Sequence, residues 1–192
     1  MKLRNAACIL LAIFALACQN DASRRLAAQK RDEQKKQAVF ETLNKNWEFH
    51  APAVGSQSQL QIANWSEWRL FITEISQKPT SSIGAFKKKS KAISNRAAAL
   101  TANMPEKFSG PEFKSRLAAI LTKVRMIDMY MQVSDIPADK ITPLISEINV
   151  ELQAFSRQMD EVIRREQIPM EKGESDMIRM LDTARAIQQP QK

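Results

Sequence analysis

The chain has 192 residues, enough for one domain of ordinary size with a sizeable core. Its hydrophobic fraction of 44% and charged fraction of 26% are ordinary for a folded chain. One His, two Cys and four Gly exclude much chemistry. A single His excludes His-rich metal sites, two Cys exclude a disulfide framework or a Cys-based zinc site, and four Gly argue against phosphate-cradling loops and turn-rich β folds.

The chain opens with Lys2 and Arg4, then an apolar run from Ala6 to Cys18. That run is too short for a bilayer span of about 20 residues. It fits the core of a secretory signal peptide, with its basic start on the cytoplasmic side. Small residues then lead through Ala15-Leu16-Ala17 to Cys18, and polarity begins at Gln19-Asn20-Asp21.

This junction resembles the lipobox of bacterial lipoproteins. The resemblance covers residues 1–18 only. It implies a signal peptide over 1–17, cleavage before Cys18 and acylation of the Cys18 thiol. More than one acyl chain is then expected, because one chain anchors only marginally. In the lipoprotein sorting rule, Asp directly after the cysteine favours the inner membrane. Gln19 stands there, which implies the outer membrane and a domain facing the periplasm. The same residues also permit ordinary cleavage after Ala17, or a retained anchor. Cys8 would leave with the signal. The mature chain would then hold no free thiol and no internal disulfide, in keeping with an oxidising compartment.

Residues 18–55 read as a lipid-anchored basic stalk followed by a turn. Asp21 to Asn46 is polar and helix-favouring, with an apolar face that stays thin until Val39, Phe40 and Leu43. The stretch from Trp47 and Phe49 through Pro52 to Gly55 is expected to turn.

Residues 56–189 read as a helical bundle domain. Gly55, Gly84, Gly110 and Gly173, with the prolines, punctuate it. Apolar residues recur at steps of three and four, which places them on one helix face. The first set is Trp65, Trp68, Ile72 and Ile75. The second is Ile83, Phe86, Ile93, Ala97, Leu100 and Met104, with Ser90 in the gap. The third is Phe113, Leu117, Ile120, Val124, Ile127 and Met131. The fourth is Ile141, Ile145, Ile148, Leu152, Phe155, Met159 and Val162. Flanking apolars such as Leu121, Leu144 and Ile163 widen the stripe into a bundle face. Ser81 or Ser82 is expected to cap the second of these helices, and Pro111 to stand near the start of the third. Pro143 places the expected start of the fourth helix at Thr142. Short connections make neighbouring helices antiparallel. The expected fold is therefore all-α, an up-down bundle of about four long helices. An N-terminal basic helix precedes it and a short C-terminal helix, Ser175 to Ile187, follows.

The net charge of the whole chain is +8. Loss of Lys2 and Arg4 with the signal lowers the 29 basic residues to 27 against 21 acidic ones, a net +6. Between Ile75 and Pro105 there are six basic residues and no acid. Lys87, Lys88, Lys89, Lys91 and Arg96 are candidates for contact with an anionic surface or envelope polymer, or for pairing within the bundle. A nucleic-acid partner is not expected, because no aromatics interleave the basic run.

Catalytic chemistry finds little support. His50 is the one candidate for a neutral-pH base. No Gly-x-Ser-x-Gly turn presents a nucleophile, and no Glu-x-x-His pairs suggest a di-metal site. Glu147 and Glu151 lie one turn apart but outside the apolar frame, so a solvated face is expected. Met126, Met129, Met131, Met177 and Met180 invite a copper reading, yet Met fills gaps in apolar frames. Trp65 and Trp68 are either core or the lining of a small-ligand site. The irregular stretch Gln167 to Asp176 is either a helix connection or a partner-binding loop. No catalytic residue, no metal and no cofactor beyond lipid on Cys18 are expected. The expected role is that of a non-enzymatic envelope lipoprotein, an adaptor or structural component, with a small-ligand-binding bundle as the alternative.

Overall fold

A computed structural model describes the backbone of residues 2–169 and the side chains of residues 22–169. The described residues form six α-helices: α1 (Lys2–Asn46), α2 (Ser56–Ile62), α3 (Ser66–Ser76), α4 (Ile83–Ala98), α5 (Pro111–Gln132) and α6 (Ala138–Glu166). Two short 3-10 turns, Ala99–Thr101 and Glu106–Phe108, join α4 to α5. No strand occurs among the described residues. The protein is an all-α helical bundle. Cys18 and the C-terminal segment Ser175 to Ile187 lie outside the residues whose side chains are described.

The apolar steps of the sequence become the core. On α5 all six in-frame residues, Phe113 to Met131, are buried. On α6 the frame from Ile141 to Met159 is buried, and Ile163 closes it in place of the half-buried Val162. Polar contacts fix the direction of these helices. Arg116 reaches Gln158 and Glu151, while Lys123 reaches Glu147 and Glu151. Advancing along α5 retreats along α6, so the two run antiparallel. The helix ends form as their residues dictate. The Ser82 hydroxyl accepts from the Ala85 N–H at 3.2 Å and caps α4. Pro111 opens α5, where its missing N–H costs nothing.

Three local expectations are corrected. Residues 56–76 form two helices, α2 and α3, with a break at Ala63–Trp65. The chain turns there, and Asn64, a turn-forming residue, stands in the break. Trp65, Trp68 and Ile75 of the expected set are buried, but Phe71 faces the core in place of Ile72, which is only half-buried. Helix α6 begins at Ala138 rather than Thr142. The Ile141 N–H donates to the Pro137 carbonyl at 3.2 Å, and Ile141 is fully buried, so packing holds this first turn closed. The Pro143 ring is tolerated on the exposed side.

The third correction concerns residues 47–55. They do not form a turn at the bundle's edge. They run as an extended strap along α6. The Asn149 side-chain amide donates to the Glu48 carbonyl, and its oxygen accepts from the His50 N–H at 2.9 Å. Further along, the Ser156 hydroxyl donates to the Ala53 carbonyl, and the Asp160 carboxylate accepts from the Gly55 N–H at 2.9 Å. Both chains advance together, so the strap lies parallel to α6. Leu43 near the end of α1 and Trp47 at the start of the strap are 0% and 1% exposed. Burial of an indole of this size is worth roughly 4–6 kcal/mol of transfer free energy. The C-terminal end of α1 is thus rooted in the core.

Candidate functional site

Trp65 and Trp68 sit in an aromatic cluster at the α3–α6 contact. Their rings stack with centroids 5.4 Å apart. Phe155 of α6 stacks on Trp68 at 5.1 Å and meets Phe113 edge-on at 5.4 Å. Trp65 and Trp68 are buried, and Phe155 is fully buried. The space between the helices at this level is therefore occupied by rings. The Trp65 indole N–H has no hydrogen-bond partner among the described residues. On the outside, a groove of about 310 Å³ is lined by Pro52, Val54, Gln59, Ile62, Trp68 and Ile72.

His50 lies on the strap and is exposed. Its backbone N–H is held by Asn149. It lines a shallow groove with Ala51, Pro52, Ala53, Asn149, Val150 and Gln153. No carboxylate lines that groove. Glu147 and Glu151 are used by cations of α5: Lys123 lies 3.0 Å from Glu147 and 3.7 Å from Glu151. The hydrogen bond to Glu147 raises the Lys123 pKa above its usual value. Met131 is fully buried while Met129, two residues earlier, is 55% exposed, so these thioethers point to different sides of α5. Among the described residues no cluster of His, Cys, Asp and Glu is arranged to hold a metal ion.

The basic residues of α4 divide. Lys89 is drawn into an internal pair, with its Nζ 2.6 Å from Glu74 Oε1 and 3.2 Å from Gln77 Oε1. Lys88, Lys91 and Arg96 are exposed and Lys87 is half-buried; none of these four makes an ion pair among the described residues. Helix α4 carries no acid that could neutralise them.

Comparison of the chain with family models, curated proteins and solved structures finds no match in any of the three.

Sequence reasoning did not identify the strap clamp of Asn149, Ser156 and Asp160. A signal for it existed. The three stand seven and four residues apart, on one face of α6. Ser156 lies beside Phe155 in an otherwise apolar frame and is fully buried. A polar residue at such a position needs a partner, and the strap carbonyl supplies it. The closeness of Lys36 to the start of α4 was also missed; both line one groove. It depends on how α1 docks, which periodicity does not reveal.

Proposed function

We propose that the protein is a non-enzymatic lipoprotein of the bacterial cell envelope, a membrane-tethered helical adaptor or structural component. Lipid on Cys18 would hold it to the outer membrane, facing the periplasm. The observation that carries this reading is the course of α1. From Ala22 to Ala38 every residue is exposed, and five residues later the same helix is fully buried at Leu43. Seventeen helical residues span about 25 Å. A long exposed helix rooted in a filled core suits a stalk that joins an anchor to a compact head. Tethering confines the head to two dimensions and raises its effective concentration for a weak partner.

Replacing Cys18 tests the reading. The native chain should remain with the membrane fraction after a high-salt wash, and Cys18→Ser should lose lipid and cleavage together. A variant that keeps its mature size and an unchanged fatty-acid content would overturn the proposal.

The second reading is a bundle that binds a small ligand near Trp65 and Trp68. The groove beside Trp68 favours it. A ligand there would change the indole fluorescence, and replacing Gln59 at the groove wall would weaken that change.

A further inference from the structure

Cations of α1 and α4 line up along one side of the molecule. Gly84, Lys88 and Lys91 are spaced by four and three residues, so they share a face of α4. All three are exposed. The buried face of α4 carries Phe86, Ser90, Ile93 and Ala97, so the lysine face looks away from the core. Lys36 of α1 joins this line, because Lys36 and Gly84 border the same groove, of about 400 Å³. Arg25 precedes Lys36 by eleven residues, three helical turns, and shares its face. Arg25 and Lys36 are exposed and, like Lys88 and Lys91, make no ion pair among the described residues. The exposed part of α1, from Ala22 to Ala38, holds six basic residues against two acids, Asp32 and Glu33. Glu33 also lines the groove with Lys36.

We infer that the stripe Arg25–Lys36–Lys88–Lys91 docks on an anionic phospholipid bilayer, so that the bundle lies along the membrane instead of standing away from it. The inference rests on the anchoring proposed above. Two features favour a bilayer over a soluble polyanion. The stripe's charges spread over about 17 Å of α1 alone before continuing on α4, which suits an extended planar partner. It also shares α1 with the proposed anchor, so headgroups are present at high effective concentration. An upright stalk would forfeit this attraction. Lys36 lies about 21 Å along the helix from Ala22, beyond the Debye length of about 8 Å at physiological salt. Each basic residue close to an anionic leaflet gains roughly fivefold in binding. Several together make docking persistent although each is weak.

The test uses the full chain purified from membranes and returned to phosphatidylcholine vesicles with or without phosphatidylglycerol. Flotation reports anchoring, and an amine-reactive label read by mass spectrometry reports lysine exposure. Lys88 and Lys91 should label at least about fivefold more slowly on phosphatidylglycerol vesicles, with high salt restoring the rate. Exposed Lys114 on α5 serves as the reference and should not change. In the double variant K88Q and K91Q, flotation should persist while Lys36 loses its protection. Equal labelling on both vesicles, with flotation intact, would overturn the stripe and leave anchoring standing. Protection by soluble polyphosphate but not by phosphatidylglycerol would also overturn it. A chain that floats with neither vesicle removes the anchoring and this inference with it.

Discussion

Ser58 is 1% exposed and its hydroxyl finds no partner among the described residues. A buried hydroxyl without a hydrogen bond costs about 1–3 kcal/mol. Ser58→Ala should therefore stabilise the fold by about 1 kcal/mol in urea denaturation; a loss of that size would mean the hydroxyl is bonded. Asn103 presents the opposite case. Its φ of 52° lies in the left-handed region, which Asn tolerates better than other side chains. Its amide also donates to Glu67 at 2.9 Å, and this bond holds the Glu67 carboxyl below its usual pKa. Asn103→Ala should cost about 1–2 kcal/mol through backbone strain, and Asn103→Gly should cost less, because it loses only the side-chain bond. The pH dependence follows the signs of the shifts. Glu67, with its lowered pKa, contributes stability above the usual glutamate value of 4.5 that is lost as pH falls through the folded value. Lys123, with its raised pKa, contributes stability that is full below the usual lysine value of 10.5 and lost as pH rises through the folded value. Glu147→Gln removes the main cause of the Lys123 shift, and should flatten the alkaline decline in an unfolding-versus-pH series.

At the scale of elements, the long helices were legible and the strap was not. Helices α5 and α6 carry unbroken three-and-four steps over 22 and 29 residues, and a pattern of that length admits one reading. Helix α3 has only 11 residues. Between Trp68 and Ile75 either Phe71 or Ile72 completes the three-and-four steps, and Phe71 takes the place expected of Ile72. Strap residues 47–55 have no period at all. Their order comes from side chains about one hundred residues away, which a local reading does not reach. The strap should be integral to the fold. Trp47→Ala is expected to cost about 3–5 kcal/mol, and global unfolding should shift by that amount; a shift under 1 kcal/mol would show that the strap is peripheral. Pro143 makes a separate prediction on α6. It sits inside the helix and on the exposed side. Proline there removes the hydrogen bond to the Asp139 carbonyl. Pro143→Ala should raise stability by about 1–3 kcal/mol, and unchanged or reduced stability would mean the proline's limit on the unfolded chain outweighs that bond.

Over the whole molecule, a filled bundle carries a long exposed helix, and unpaired cations of α1 and α4 form a stripe. Fold class could be read from punctuation and periodicity because a bundle is built from local repeats. The functional surface was legible only in part. The basic run of α4 is plain in the sequence, but its division into a used Lys89 and unpaired Lys88 and Lys91 depends on where α3 places Glu74 and Gln77. The link from Lys36 to α4 depends on how α1 docks. The candidate tryptophans looked the same as core or as pocket, since spacing of three residues serves both. Their stacking on Phe155 puts them within the packed interior. Among the described residues no helix is long and apolar enough to cross a membrane. The attachment proposed above is through lipid on Cys18. The most direct measurement is mass spectrometry of the N-terminal peptide of the chain purified from membranes. The account expects a peptide that begins at Cys18 and carries diacylglycerol on its thiol. An unmodified Cys18, whether at the N-terminus or still joined to Ala17, would contradict it.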